Sequence, residues 1–249
     1  MYMAQKKHQK LSLNIVIPVY NEQADLEKSI RTLVSYLIHN LDDFDWIITI
    51  ADNASIDDTL DIARHLSREF TRVKVVHLDE RGRGRAVKSV WAKSNTDLVA
   101  YMDVDLSTDL KHFPPLVRSL LRGYDLAIGS RNAKGARVYG RSIVRTITSK
   151  AYIVLIKCFF LVHFTDAQCG FKAVTRNVVE VLLPKIEDNE WFFDTELLIL
   201  AEKLGIRIYE ESVTWIDNPG STVRVWKTAA GDISGLWRLF RTRPWRTLL

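Results

Sequence analysis

The first half of the chain repeats one unit: a continuous apolar run, a polar break, then apolar residues at helical spacing. The runs are Leu13–Val19, Trp46–Ala51, Val73–Leu78, Leu98–Asp103 and Asp125–Ile128. Strands apolar at successive positions are buried on both faces, the mark of a parallel sheet covered by helices on each side. Between the runs, Leu26, Ile30, Leu33, Val34 and Leu37 form one helical stripe, and further helices are predicted near 86–94 and 110–121. Asn21 is expected to cap the first helix, with Glu22 and Asp25 in its first turn, and Ser55–Asp58 reads as a capping-box variant opening the second. The alternation predicts an α/β, doubly wound, mostly parallel sheet. In such sheets ligands lie outside the carboxyl ends of the strands, near the point where strand order reverses.

Polar groups stand at those carboxyl ends: Tyr20-Asn21-Glu22, Asp52-Asn53, and Asp103-Val104-Asp105. If Asp103 and Asp105 continue the fourth strand, they share a face and converge on one spot. Two such carboxylates suit a hard divalent cation, Mg²⁺ or Mn²⁺, bridging to a diphosphate. Tyr20, with the backbone from Pro18, is placed to pack on a base or ribose, and Glu22 to accept ribose hydroxyls. Asp52 is placed to accept from the imide N–H of uracil or the N–H groups of guanine. The segment Arg81–Lys88 combines glycines with basic residues ahead of a helix, so Arg83, Gly84 and Lys88 are candidates for a diphosphate cradle, a solvated basic loop being the alternative. Arg131 ends the fifth strand, where it can meet a phosphate bidentately or form a structural ion pair.

The second half reads differently. A long, mostly apolar helical stretch covers 141–164, a helix contains Phe193–Leu200, strands are expected at 206–211 and 213–216, and a loop at 218–224 precedes a last helix. Asp194 and Glu196 do not share a helix face, and Asp194 is the one expected to face the site.

Six motifs occur in one order: Pro18-Val-Tyr-Asn-Glu22, Asp52-Asn-Ala-Ser-Ile-Asp-Asp-Thr59, Asp103-Val-Asp105, Gly129-Ser-Arg131, Asp166-Ala-Gln-Cys-Gly-Phe-Lys172 and Phe193-Asp-Thr-Glu196. Together they resemble the family 2 glycosyltransferases of GT-A fold, specifically the polyprenyl-phosphate (dolichyl-phosphate) hexose synthases, from about Leu13 to Ile216. The glutamine-cysteine-glycine form of the fifth motif is closer to the glucosyl than to the mannosyl branch. The resemblance implies an inverting, metal-dependent transfer of a hexose from UDP-glucose, or alternatively GDP-mannose, to a polyprenyl or dolichyl phosphate. It implies Asp103, Val104 and Asp105 at the nucleotide sugar, with Asp105, Asp194 and Arg131 in catalytic roles. Arg131, Gln168, Ser221 and Arg224 are implied at the acceptor phosphate. Some members carry a glutamine where this chain has Ser107, which leaves water to fill that cation position. A lipid monophosphate is largely ionised near neutral pH, with a second pKa of roughly 6 by analogy with phosphoserine. It needs little help from a base, so Asp194 is free to orient sugar hydroxyls.

Composition bounds the rest. A net charge of +5 over 249 residues is a mild excess, against a dedicated nucleic-acid binder. Two cysteines give neither a disulfide framework nor a metal-ligand spacing, which favours a reducing, cytoplasmic setting. The start lacks the apolar core of a signal peptide. The stretch 151–164, interrupted by Lys157 and His163, falls short of the roughly 18–20 residues a spanning helix needs. The C-terminal stripe of Ile233, Leu236, Trp237, Leu239 and Phe240, interleaved with Arg238 and Arg241, suits an anionic membrane interface. The expected organisation is a basic tail at 1–12, a transferase domain at 13–225 divided into nucleotide (13–131) and acceptor (132–225) halves, and an interfacial segment at 226–249. The chain would lie peripherally on the cytoplasmic face of a membrane, with self-association left open. A non-catalytic nucleotide-sugar-binding module that docks on membranes is the reading from another class.

Overall fold

The computed structural model describes residues 10–217 and 225–247; the side chains of 225–229 and 247 fall outside the description. Seven strands form one sheet: β1 (Leu11–Val19), β2 (Phe44–Asn53), β3 (Val73–Leu78), β4 (Leu98–Met102), β5 (Leu126–Ser130), β7 (Phe171–Thr175) and β8 (Ile208–Ser212), in the order β3-β2-β1-β4-β7-β5-β8. All neighbours are parallel except β7, which runs against both β4 and β5. Two short strands, β6 (Arg137–Tyr139) and β9 (Thr214–Ile216), pair separately. Strand order reverses around β1, which has β2 on one side and β4 on the other, so the switch point lies at the ends of these strands.

The central strands are buried on both faces, as the continuous apolar runs predict, whereas the edge strands β3 and β8 stay partly exposed. Leu13, Ile15, Ile17 and Val19 of β1 pack in one core with α1 (Leu26–Asn40), α2 (Thr59–Glu69) and α4 (Phe113–Leu121). Val16 points into the opposite core with α3 (Arg83–Lys93), α5 (Ile143–Phe160), α6 (Arg176–Leu182) and α7 (Phe193–Lys203). The stripe expected for α1 is buried at every position named.

Local differences have local causes. Asn21 is not a helix cap: it sits at φ 54°, and α1 starts five residues later. Its Oδ1 instead accepts from the Ile56 amide at 2.9 Å, tying the end of β1 to the loop after β2. Ser55–Asp58 forms no reciprocal box. Asp57 accepts from the Thr59 amide at 3.1 Å, and Ser55 Oγ accepts from the Asn21 amide at 3.0 Å. The last helix, α8 (Val225–Thr242), divides its predicted stripe: Leu236 and Leu239 are buried in the second core, while Ile233 and Trp237 stay exposed. Gly235 lets α8 approach Phe192, since a Cβ there would stand 2.3 Å from its ring. No helix among the described residues is long and apolar enough to cross a membrane.

Candidate active site

The ends of β1 and β2 build one side of the crevice. Val19 pairs in register with Asp52, so the residues that follow β1 run past the end of β2. Pro18 is buried within the strand, in register with Ala51, which leaves Tyr20, Asn21 and Glu22 as the accessible members of that motif. The Tyr20 ring carries the Arg81 guanidinium 3.8 Å from its centroid, a cation–π contact that holds the basic loop against this edge. Asp52 is fully buried and accepts from His77 Nδ1 at 2.6 Å.

The acidic pair lies just past β4, not on it. The strand ends at Met102, and Asp103 to Asp105 form a turn whose next residue, Leu106, has φ 49°. Val104 is buried beneath, and the two carboxylates face the crevice on either side of it. A turn therefore does what strand alternation was expected to do. Ser107 donates to Asp105 through both its amide (3.0 Å) and its hydroxyl (2.8 Å), which fixes that carboxylate from below. Asp103 is held more tightly. Arg83 Nη2 reaches Oδ1 at 2.6 Å, and the Asp103 amide donates to the Gly170 carbonyl at 3.1 Å. A Cβ on Gly170 would stand 1.8 Å from Asp103 Oδ2, so only glycine leaves room for the carboxylate. These groups, with Met102, Thr108, Phe171 and Trp215, line one pocket.

Electrostatically the crevice is short of cations. Dehydration and then the charge of Asp103 push Asp105 above the usual carboxylate range. Glu22 is pushed up to about 7, by burial first and then by Asp25, Asp105, Asp103 and Asp57. That is an arrangement a divalent cation would relieve, and all the donors are hard oxygens. Among the described residues no set of three or more His, Cys, Asp or Glu side chains closes a metal cage. A pair of carboxylates without a cage fits a cation that completes its shell with substrate phosphate and water, as Mg²⁺ commonly does. The residues present thus fit Mg²⁺ or Mn²⁺ held by Asp103 and Asp105.

Behind the pair runs a buried ion network. Asp194 Oδ2 accepts from Arg83 Nη1 at 2.7 Å, and Oδ1 lies 2.9 Å from Lys172 Nζ and accepts from the Tyr101 hydroxyl. Burial alone would raise the Asp194 carboxyl, but Lys172 and Arg83 outweigh it and hold the group low. Asp194 is connected to Asp103 through Arg83, which bonds both carboxylates, and at only 2% exposed it is paired within the protein to two cations. Glu196 turns elsewhere, to the Asp188 amide at 2.9 Å and to Arg238 at 2.8 Å.

Four further candidates meet partners that lie far away in sequence. Lys88 donates to the Ile186 carbonyl (2.7 Å), the Asp188 carbonyl (3.3 Å) and Asn189 Oδ1 (3.0 Å). Gly84 is small because α3 packs on the 189–193 segment: a Cβ there would lie 2.6 Å from Phe193 Cβ. Arg131 makes the structural ion pair, bidentate to Asp166 at 2.7 and 2.9 Å. Gln168 donates to Asp232 Oδ2 at 2.8 Å, joining the loop before β7 to α8. Ser221 and Arg224 lie outside the described residues.

Arg141 was absent from the expectations. Its guanidinium lies 5.9 Å from the Trp215 ring centroid, beside Arg131 at 5.6 Å, and Nε has no hydrogen-bond partner among the described residues. Burial, then the charge of Arg131, lowers it to about 10. Neighbouring Arg145 is paired to Asp217 at 2.7 Å. Trp215 also lines the acidic pocket, so its ring lies between that pocket and the two arginines.

A family model described as glycosyl transferase family 2 matches residues 14–183. The chain belongs to that family. This glycosyltransferase is 37% identical over 239 residues to the glycosyltransferase AglD of Haloferax volcanii, covering 94% of the present chain but only 38% of AglD. It is 28% identical to the dolichyl-phosphate beta-glucosyltransferase of Drosophila melanogaster, over 95% of this chain and 77% of that one, and 27% identical to the human protein of the same name. Among solved structures, glucosyl-3-phosphoglycerate synthase from Mycobacterium tuberculosis with UDP superposes with a TM-score of 0.68 at 21% identity, over 92% of this chain and 80% of that one. That likeness establishes the GT-A type of α/β fold for the transferase. The synthase has also been solved with Mn²⁺ and UDP-glucose.

Proposed function

We propose that this glycosyltransferase moves glucose from UDP-glucose to a polyprenyl or dolichyl phosphate, with inversion at the anomeric carbon. The donor side of the reading rests on the crevice at the ends of β1, β2 and β4, and on relatives named for glucosyl transfer. The base and ribose lie along Tyr20, Glu22 and Asp52. The diphosphate lies toward Asp103 and Asp105, where a bound Mg²⁺ or Mn²⁺ neutralises the charge that develops on the leaving group.

One observation carries the acceptor: Arg141 Nε is buried without a hydrogen-bond partner among the described residues, and two residues later α5 begins with an exposed apolar face. Ile143, Val144 and Ile147 are 78%, 70% and 62% exposed, and Val154 and Leu161 continue the face. A phosphate at Arg141 with a hydrocarbon tail along α5 satisfies both features at once. Its oxygen attacks the anomeric carbon in line with the departing diphosphate. Since the phosphate arrives ionised, no base is needed, which agrees with the burial of Asp194. Catalysis is then positioning and charge stabilisation, and the exposed apolar residues of α5 and α8 support a position at a membrane surface.

The test is transfer from UDP-glucose, GDP-mannose and UDP-galactose to a polyprenyl phosphate, each with Mn²⁺ and with EDTA. Metal-dependent label in the lipid phase from UDP-glucose alone is the expected result. Label from GDP-mannose alone replaces the sugar. Donor hydrolysis without lipid product overturns the acceptor.

A further inference from the structure

The two oxygens of Asp52 are used unequally. Oδ2 accepts from His77 Nδ1 at 2.6 Å, whereas Oδ1 has no hydrogen-bond partner among the described residues, although the side chain is fully buried. The contact follows from sheet register, since β2 and β3 set Asp52 directly beside His77. A carboxylate only accepts, so the shared proton sits on Nδ1. His77 itself is partly exposed, its other nitrogen 3.7 Å from Asp79 at the surface. Tyr20 and the Arg81 stacked on it stand at the end of the neighbouring strand. A buried acceptor without a donor is costly to keep, and this one lies near the carboxyl end of β2, the side of such sheets where ligands bind.

We propose that His77 is the positioning residue for donor-base recognition: by occupying Oδ2 it fixes the carboxylate plane so that Oδ1 accepts the imide N–H of uracil and rejects cytosine. This rests on the uridine-donor reading above. Uracil and cytosine have nearly the same shape, but N3 carries a hydrogen in the first and a lone pair in the second. An oxygen that only accepts attracts one and repels the other. Without the donor from His77 the carboxylate plane is no longer fixed, the imide N–H meets an oxygen less squarely, and the discrimination weakens.

The experiment is calorimetric titration of UDP and of CDP, with Mn²⁺ present, into the full chain as wild type, His77→Leu and His77→Asn. The wild type is expected to prefer UDP strongly. In His77→Leu, UDP binding weakens by about 10- to 100-fold, the range for a hydrogen bond lost at a charged group, and the UDP-to-CDP ratio falls with it. His77→Asn places an amide nitrogen where Nδ1 stood and restores most of the ratio. In transfer assays the leucine variant raises KM for the nucleotide sugar with kcat little changed, the sign of lost uniform binding. Because the ratio is taken within each variant, partial unfolding cancels. An unchanged ratio in His77→Leu overturns the proposal, as does equal impairment by leucine and asparagine. A wild type that binds GDP and neither pyrimidine nucleotide overturns the donor reading, and this inference falls with it.

Discussion

Gly170→Ala is the smallest change that should disable the acidic pair. The added methyl would lie 1.8 Å from Asp103 Oδ2, 2.2 Å from Cγ and 2.5 Å from Oδ1, so the whole carboxylate must move. It has little freedom to do so, with Arg83 on Oδ1 at 2.6 Å and its own amide bound to the Gly170 carbonyl at 3.1 Å. Gly170 is not among the residues with positive φ, so alanine costs nothing in backbone strain and the damage falls on the carboxylate. Breaking the Arg83 bond costs about 1.5–3 kcal/mol, and a reacting group displaced by about 1 Å loses on the order of 100-fold in rate. The expected outcome is a fall in transfer of about 100-fold or more, with Mn²⁺ affinity, read by electron paramagnetic resonance, weakened in step and far-ultraviolet dichroism unchanged. Transfer within threefold of wild type, with Mn²⁺ affinity intact, would refute the placement of Asp103 against this glycine.

Three other outcomes are expected. Lys172→Met leaves the buried Asp194 with one cation and frees the Ala167 and Cys169 carbonyls that Nζ now binds at 3.1 and 2.7 Å; stability should fall by about 3–5 kcal/mol, and a loss below about 1 kcal/mol in denaturant titration would show that the network is not held by this charge. Asp232 is raised from 3.8 to about 7 by burial, with Asp188 and Asp194 adding to it, so the folded state keeps a proton that the unfolded chain releases. Stability is therefore lost as pH climbs from about 4 to 7, by at most on the order of 4 kcal/mol, and Asp232→Asn should melt higher than wild type at pH 8 but level with it at pH 4; equal melting at both pH values counts against the shift. Arg141→Gln should raise KM for the lipid phosphate by about 10-fold or more while leaving UDP affinity unchanged, and an unaltered acceptor KM would move the phosphate elsewhere.

The fold was legible wherever a residue's burial depends on its immediate neighbours in sequence. Five strands and the α1 stripe could be read because a strand covered on both faces must be apolar throughout. β7 escaped because Lys172 breaks its short apolar run, and nothing local announces that an ammonium will be neutralised by Asp194 inside the core. The site was legible in its residue types and less so in their roles. Arg83 meets Asp194 from 111 positions away, Lys88 meets Asn189 from 101, and Arg131 meets Asp166 from 35. A basic residue at a strand end reads the same whether its anion is a ligand or a distant aspartate. Arg141 has no local signal in the sequence: that its Nε is buried without a partner beside Trp215 follows only from the folded packing.

The reversed strand β7 bears on where this chain can be cut. It lies between β4 and β5, and it is the only strand that joins them. A fragment ending near residue 131 would hold β4 and β5 with the gap between them unfilled, exposing two apolar strands with open hydrogen-bonding edges. Nucleotide and acceptor halves are thus names for regions of one sheet, not for pieces that can be swapped between relatives at that boundary. A chimera built by joining donor and acceptor halves would have to carry 171–175 with the first half, or match it to the new neighbours on both sides.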